Sequence, residues 1–238
     1  MKIGIVIINW NGLNLLKKYL NEIILNSDNS TVYIIDNNSS DESILYVREN
    51  YKEVKIISLD KNYGFAEGYN KGLKEVEENY VCIINNDILV TKDWLDPIRK
   101  KFKKDPESII QPTILDINNT EYFEYAGASG GFIDKYGYPF CRGRIFDTIE
   151  KDNGQYNDSK IFWASGACFF ISKNIFNKIG GFDKSFFAHM EEIDLCWRAF
   201  NLGYNSYSVT SSKVFHVGAA TIKKDSRKIY LNYRNSLI

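Results

Sequence analysis

The stretch KIGIVIINWNGLNLLKKYLNEIILNSDNSTVYIID, residues 2–36, decides how this chain reads. A β-branched run ends in Asn9, apolar residues then recur at helical spacing over 13–25, and a second β-branched run ends in Asp36. The unit repeats outward. VKIISL from Val54 and YVCIIN from Tyr80 read as further strands, with amphipathic helices over 41–51 and 66–76 between the strands. Near-continuous apolar strands leave no polar face for water, so this βαβαβαβ order implies a sheet covered by helices on both sides. The expected class is α/β, with a mostly parallel central sheet flanked by helices.

Beyond Asp87, a helix capped by Thr91 or Asp93 is expected to run through Lys103 and stop before Pro106, followed by a strand over 108–114. Periodicity fades over 116–159, where EYAGASGGFIDKYGYPFCRG is rich in glycine and aromatics and reads as an insertion or flap over a cleft. Order returns over 161–171. A helix, the GGFD turn at 180–183 and a helix over 191–202 follow, then strands over 204–209 and 213–217. The tail KKDSRKIYLNYRNSLI reads as a final helix carrying Tyr230, Tyr233 and Arg234.

The 30 basic and 30 acidic residues cancel, which disfavours nucleic acid as a partner. Asn9 interrupts the apolar opening, which is too short for a membrane span and shows no signal-peptide cleavage pattern. Four scattered cysteines without a CxxC pair read as reduced, buried thiols of a cytoplasmic protein. At 238 residues the chain fits a single large domain, and its oligomeric state is not legible.

In a doubly wound sheet, polar residues at strand C-termini collect in one crevice. Asn9, Asp36 and Asp87 occupy such positions, and Asp36 can accept hydrogen bonds from a nucleobase or ribose. Turn formation and helix capping are the competing reading for Asn9 and Asp36, above all in DNNSSDES. NWNG replaces the GxGxxG of a dinucleotide site, which argues against NAD. In DKNYGFAEGYNKG, Asn62, Gly64 and Asn70 surround a loop-to-helix transition whose amides suit phosphate or ribose oxygens, or else form a glycine-softened turn. Asp87 offers a hard carboxylate for Mg²⁺ or Mn²⁺, with Asn85 and Asn86 available to ribose, water or the cation's outer shell.

These segments resemble glycosyltransferase family 2, and especially its rhamnosyltransferase-like branch. The resemblance is carried by NWNG at 9–12, VYIIDNNSSDES at 32–43, NYGFAEGYNKG at 62–72 and INND at 84–87. It continues in WASGACFFIS at 163–172, GGFDKSFFAHMEEIDLCWRAFNLGY at 180–204, VFHVG at 214–218 and NYRN at 232–235. It implies a GT-A nucleotide-diphospho-sugar transferase fold in one catalytic domain. A nucleotide-binding half would span about 1–115 and an acceptor-binding, catalytic half about 116–238.

The resemblance further implies that Asp36 contacts the nucleotide base with Asn9 beside it, and that INND replaces the common aspartate-any-aspartate motif, leaving Asp87 as metal ligand. His216 resembles the C-terminal metal-ligating histidine. In EEID, Glu192 stands where the family has its base and Glu191 assists at the acceptor, while Asp194 fixes the helix. Apart from the resemblance, His189 stands beside the acidic run, where it would orient the acceptor or its carboxylates or serve as a structural histidine. Trp163 offers an aromatic wall to the sugar or simply packs the core, and Gly166 admits the sugar or shapes a turn. Arg198 is expected in a helix-surface salt bridge, and Arg234 holds phosphate or the final helix.

The activity implied is inverting transfer of a sugar, with rhamnose as the narrower reading, from a UDP- or dTDP-sugar to a hydroxyl of a polysaccharide or lipid-linked glycan. The site would lie in the cytoplasm, with peripheral attachment to the inner face of the membrane allowed. Two alternatives stay open. One is a non-catalytic nucleotide-sugar-binding module, suggested by NND and EE in place of the usual acidic pairs. The other is a sugar-nucleotide nucleotidyltransferase, against which the missing basic glycine-rich opening argues.

Overall fold

The computed structural model describes residues 1–218 and 226–237. The first segment forms β1 (Ile3–Asn9), α1 (Leu13–Leu25), β2 (Ser30–Asp36), α2 (Ser43–Asn50), β3 (Lys55–Ser58), α3 (Gly64–Gly72) and β4 (Tyr80–Ile84). There follow β5 (Ile88–Val90), α4 (Leu95–Lys104), β6 (Ser108–Asp116), β7 (Gly131–Ile133), β8 (Pro139–Cys141), β9 (Arg144–Ile145), β10 (Thr148–Ile149), β11 (Ser159–Ile161) and β12 (Cys168–Ser172). The chain continues through α5 (Lys173–Lys178), a 3₁₀ turn at Lys184–Phe186, α6 (Glu191–Asn201), β13 (Asn205–His216) and α7 (Ser226–Asn235). The start of the expected final helix, at 223–225, lies outside the described residues.

One nine-stranded sheet runs in the order β11-β13-β6-β12-β4-β1-β2-β3, with β5 on β13. The pairs β3–β2, β2–β1 and β1–β4 are parallel, as the repeated βα units require. The other half is mixed. β12 runs antiparallel between β4 and β6, while β13 lies parallel to β6. The two strands expected over 204–217 are a single β13 whose register shifts between Val209 and Lys213. The expected flap over 116–159 contains two small hairpins, β7–β8 and β9–β10.

Period-two alternation divides the core. Ile3, Ile5 and Ile7 of β1 pack with Leu16, Leu20 and Ile23 of α1, Val47 of α2 and Leu95, Ile98 and Phe102 of α4. Val6 faces the opposite side, with Ala66 and Tyr69 of α3, Ile175 and Phe176 of α5, and Leu195 and Ala199 of α6. Cys82, Cys141, Cys168 and Cys196 are free and buried. Among the described residues, no helix is long and apolar enough to cross a membrane.

The parallel strands end level with one another, with Asn9 beside Asp36 and Asp36 beside Ser58. His216, the last residue of β13, pairs with Ile88 of β5, immediately after Asp87. Sheet register therefore brings the C-terminal ends of early strands against the end of the last one.

Candidate active site

Asn9 is fully buried at the end of β1. Its amide donates to Ser39 Oγ (3.2 Å) and Ser43 Oγ (3.0 Å), and its Oδ1 accepts from Asn86 Nδ2 (3.1 Å). A Cβ on Gly12 would stand 2.2 Å from Asn9 Oδ1 and 2.4 Å from Asn86 Nδ2, so the tight NWNG turn needs glycine there. Asp36 is buried, and its Oδ1 accepts from Ser39 N (3.0 Å). Asn9, Asp36 and Asn86 thus meet in one network that shapes the crevice wall. Asn85 is half-buried, and its N–H donates to the Ala167 carbonyl (3.0 Å).

The second loop is organised by Asn37, which sequence reading passed over as part of a turn. Its Nδ2 donates to Asn62 Oδ1 and to the Gly64 carbonyl, both at 2.9 Å, and its Oδ1 accepts from Tyr63 N at 2.9 Å. The amides at the start of α3 serve the protein itself: Phe65 N (2.8 Å) and Ala66 N (3.3 Å) donate to the Phe187 carbonyl. Gly64, at φ 73°, permits that approach, since a Cβ would meet the Phe187 ring at 2.6 Å. Asn70 lies apart, with Nδ2 donating to Phe182 O (2.7 Å) and Oδ1 accepting from Phe182 N (2.9 Å). It clasps the GGFD turn to α3.

At the crevice floor, Asp87 and His216 are both buried, and His216 Nε2 stands 3.1 Å from Asp87 Oδ1. On its other side, His216 Nδ1 is 3.6 Å from Oε1 of Glu124, a buried carboxylate from the segment before β7 that no sequence motif singled out. Beyond these two contacts, Asp87 Oδ1 and His216 Nδ1 have no partner among the described residues. Burial pushes the imidazolium pKa down, but the Asp87 and Glu124 carboxylates outweigh it and hold the pKa up at about 10. The pocket is built around one positive charge.

A divalent cation fits that description. Two adjacent ligands of an octahedral ion with bonds of about 2.1 Å stand about 3 Å apart, which is the spacing of Asp87 Oδ1 and His216 Nε2. Among the described residues, no cluster of three or more His, Cys, Asp or Glu side chains is arranged to hold a metal ion. The protein would supply Asp87 and His216, leaving the other positions to substrate oxygens and water.

The acidic helix start lies on the same side of the sheet as the crevice's outer loop. Leu195 and Ala199 are the core stripe of α6, and Glu191 stands one turn ahead of them on that stripe, 4% exposed. Burial, then the neighbouring Glu192 charge, drive the Glu191 pKa well above the ordinary glutamate value. Burial likewise raises Glu192, opposed by backbone N–H groups including Gly166. Among the described residues, Oε2 of each glutamate has no hydrogen-bond partner. A Cβ on Gly166 would lie 3.5 Å from the Glu192 carboxyl carbon, and the next residue, Ala167, accepts the Asn85 N–H. Residues 166–167 therefore link Glu192 to the strand end that precedes Asp87.

A charged carboxylate in a buried site with one oxygen unpartnered opposes folding. The folded pKa of Glu191 is raised, so its favourable contribution is present below the unfolded value of about 4.3 and is lost as pH rises through the folded value. Glu191→Gln should therefore raise Tm at pH 8 by about 2–4 °C, with the gain fading toward pH 4. Calorimetry across pH tests this, and a Tm difference independent of pH would contradict the buried charge.

Trp163 is buried against Gly131, and its Nε1 donates to the Phe132 carbonyl (2.9 Å), anchoring the flap hairpin to the sheet. His189 is half-buried, two residues before Glu191 in a left-handed conformation (φ 71°). Asp194 and Arg198 form the expected i,i+4 pair, with contacts of 2.6 and 2.9 Å. Arg234 donates to the carbonyls of Ser185 and Phe186, both at 2.8 Å.

Residues 4–180 match the family profile described as glycosyl transferase family 2. The chain is 24% identical, over 99% of its length and 74% of the relative, to the low-salt glycan biosynthesis hexosyltransferase Agl10 of Haloferax volcanii. It is 22% identical, over 82% of its length and 69% of the relative, to the N-acetylglucosaminyl-diphospho-decaprenol L-rhamnosyltransferase of Mycobacterium tuberculosis. Its fold superposes on GalNAc-T7, solved with UDP, GalNAc and Mn²⁺, with a TM-score of 0.75 at 17% identity, covering 91% of this chain and 44% of that one. The fold is GT-A. The chain belongs to glycosyltransferase family 2 and is a glycosyltransferase.

Proposed function

We propose that this family 2 glycosyltransferase transfers a sugar, with inversion, from a UDP- or dTDP-linked donor to a hydroxyl of a polysaccharide or lipid-linked glycan. Residues of about 1–115 form the nucleotide-binding half and about 116–238 the acceptor and catalytic half. The observation that carries the reading is the Glu191–Glu192 pair, Glu191 buried and Glu192 half-buried, each with an Oε2 that has no partner among the described residues, and with Glu192 packed at residues 166–167 beside the strand end of Asp87. A raised carboxylate in a cleft suits a general base.

Glu192 accepts the acceptor hydroxyl proton as that oxygen attacks the anomeric carbon. The bond from that carbon to the diphosphate oxygen breaks, and its electron pair leaves with the nucleoside diphosphate. Glu191 holds the acceptor beside the base, and His189 orients it. Asp87 and His216 would hold Mg²⁺ or Mn²⁺, which would supply positive charge for the leaving diphosphate. Asp36 accepts from the base or ribose, and Asn9, Asn85 and Asn86 set the wall against which the nucleotide rests. Asn62, Gly64 and Asn70 reach the donor through the loop they shape, while Trp163 and Gly166 bound the sugar.

Mn²⁺ and UDP in GalNAc-T7 support the cation and the donor class. The name of the mycobacterial relative, an N-acetylglucosaminyl-diphospho-decaprenol L-rhamnosyltransferase, supports a lipid-linked saccharide acceptor and rhamnose as a donor sugar. Ligand-observed NMR with UDP- and dTDP-sugars, with and without Mn²⁺, identifies the donor. The anomeric proton coupling of the product then reports inversion. Pyrophosphate release from a nucleoside triphosphate and a sugar phosphate, without glycan formation, would replace this reading with a nucleotidyltransferase.

A further inference from the structure

The segment that delivers the glutamate pair is backbone-strained. Phe187, His189 and Met190, none of them glycine, have φ of 63°, 71° and 70°. Such residues persist only where their surroundings over-determine them, and a cluster of them beside an active centre has to be held. Met190 is the residue from which α6 departs, so this turn sets the direction of the first helical turn and its carboxylates.

Two elements hold it. From one side, Phe65 N and Ala66 N donate to the Phe187 carbonyl. From the other comes the last turn of α7, where Asn235 is 3% exposed. Its Nδ2 donates to the carbonyls of Phe186 (3.1 Å), Ala188 (2.9 Å) and His189 (2.6 Å). Arg234 adds its bonds to Ser185 and Phe186, and its Nε donates to Asn235 Oδ1 (2.8 Å), fixing which edge of the carboxamide faces the turn. Three carbonyls converge on the two N–H groups of one carboxamide, and a residue without an N–H there withdraws that shared donor from the turn.

We propose that Asn235 is a positioning residue for transfer: its carboxamide locks the 186–190 turn and thereby places the Glu191 and Glu192 carboxylates in the cleft. This rests on Glu192 being the base. Asn235 touches no reacting atom, so its effect belongs in turnover and not in donor affinity.

The test uses the full chain with Mn²⁺ and the donor found by screening. Asn235→Asp keeps the shape but turns lone pairs toward the carbonyls, and Arg234→Gln, which removes the outer bonds and the Nε contact to Asn235 but keeps the carboxamide, is a milder second variant. We expect donor Kd to stay within about twofold and kcat to fall about 30-fold in Asn235→Asp, less in Arg234→Gln, as misplaced catalytic groups do. In a Glu192→Gln background the further loss should shrink to about twofold, the coupling expected of residues acting through one another. Amide exchange at 187–190 should accelerate.

Unchanged kcat in folded Asn235→Asp overturns the proposal, as does a loss of equal size in the Glu192→Gln background. If the wild-type chain transfers no sugar, the transferase reading fails by itself. Exchange then still judges the clamp, and unchanged protection at 187–190 in Asn235→Asp rejects it.

Discussion

Glu192→Gln should lower kcat by about 10²–10⁴-fold, the usual contribution of a positioned general base, while donor Kd with Mn²⁺ stays within about twofold. Gln keeps the length and the packing against Gly166 but cannot accept the acceptor proton. The variant should also be somewhat more stable than wild type above neutral pH, because burial raises the Glu192 pKa and the amide removes the charge that burial opposes. Steady-state kinetics beside isothermal titration separates the two effects. A kcat within a few-fold of wild type, under conditions where chemistry limits turnover, would move the base elsewhere, with Glu191 the next residue to replace.

Asp87→Asn acts on the other side of the reaction. It should weaken Mn²⁺-dependent donor binding by about 100-fold or more, since a neutral amide is a poor substitute for a carboxylate toward a hard cation. Without the cation, donor affinity of the two proteins should be nearly equal. Free Mn²⁺ titrated by electron paramagnetic resonance gives a readout independent of transfer. Equal Mn²⁺ affinity in the two proteins would remove Asp87 from the cation site and leave its 3.1 Å contact with His216 as an ordinary ion pair.

Much of this centre could be read before the coordinates. Asn9 and Asp36 announce themselves because each closes an apolar run, and Asp87 because it ends the short polar segment after another, and strands that end together in a parallel sheet bring these positions together. Glu191 is legible as an anomaly of period: it falls on the helical stripe of Leu195 and Ala199, where an apolar residue belongs. The partners of these residues were not legible. Asn37, Glu124 and Asn235 carry no local pattern, since a polar residue in a turn or a tail looks the same whether solvated or buried against carbonyls.

The structure also gives protein partners to several groups whose type alone had suggested ligand contact. Asn70 clasps the GGFD turn, the first amides of α3 go to Phe187, and Trp163 anchors the flap. In each case a nearby backbone group satisfies the side chain or amide, a contact that depends on where distant segments pack.

Local pattern alone determined the four parallel strands and the three helices between them, the positions of the strand-end polar residues and the helix that begins with two glutamates. Alternation and helical period are properties of neighbouring residues, so they survive in the linear chain. Only tertiary structure decided that β12 inserts antiparallel between β4 and β6, that β13 carries His216 to Asp87, and that Asn235 returns to hold the turn before Glu191. Those choices come from packing whole layers against each other, and with them comes the selection of which buried polar atoms remain without a protein partner.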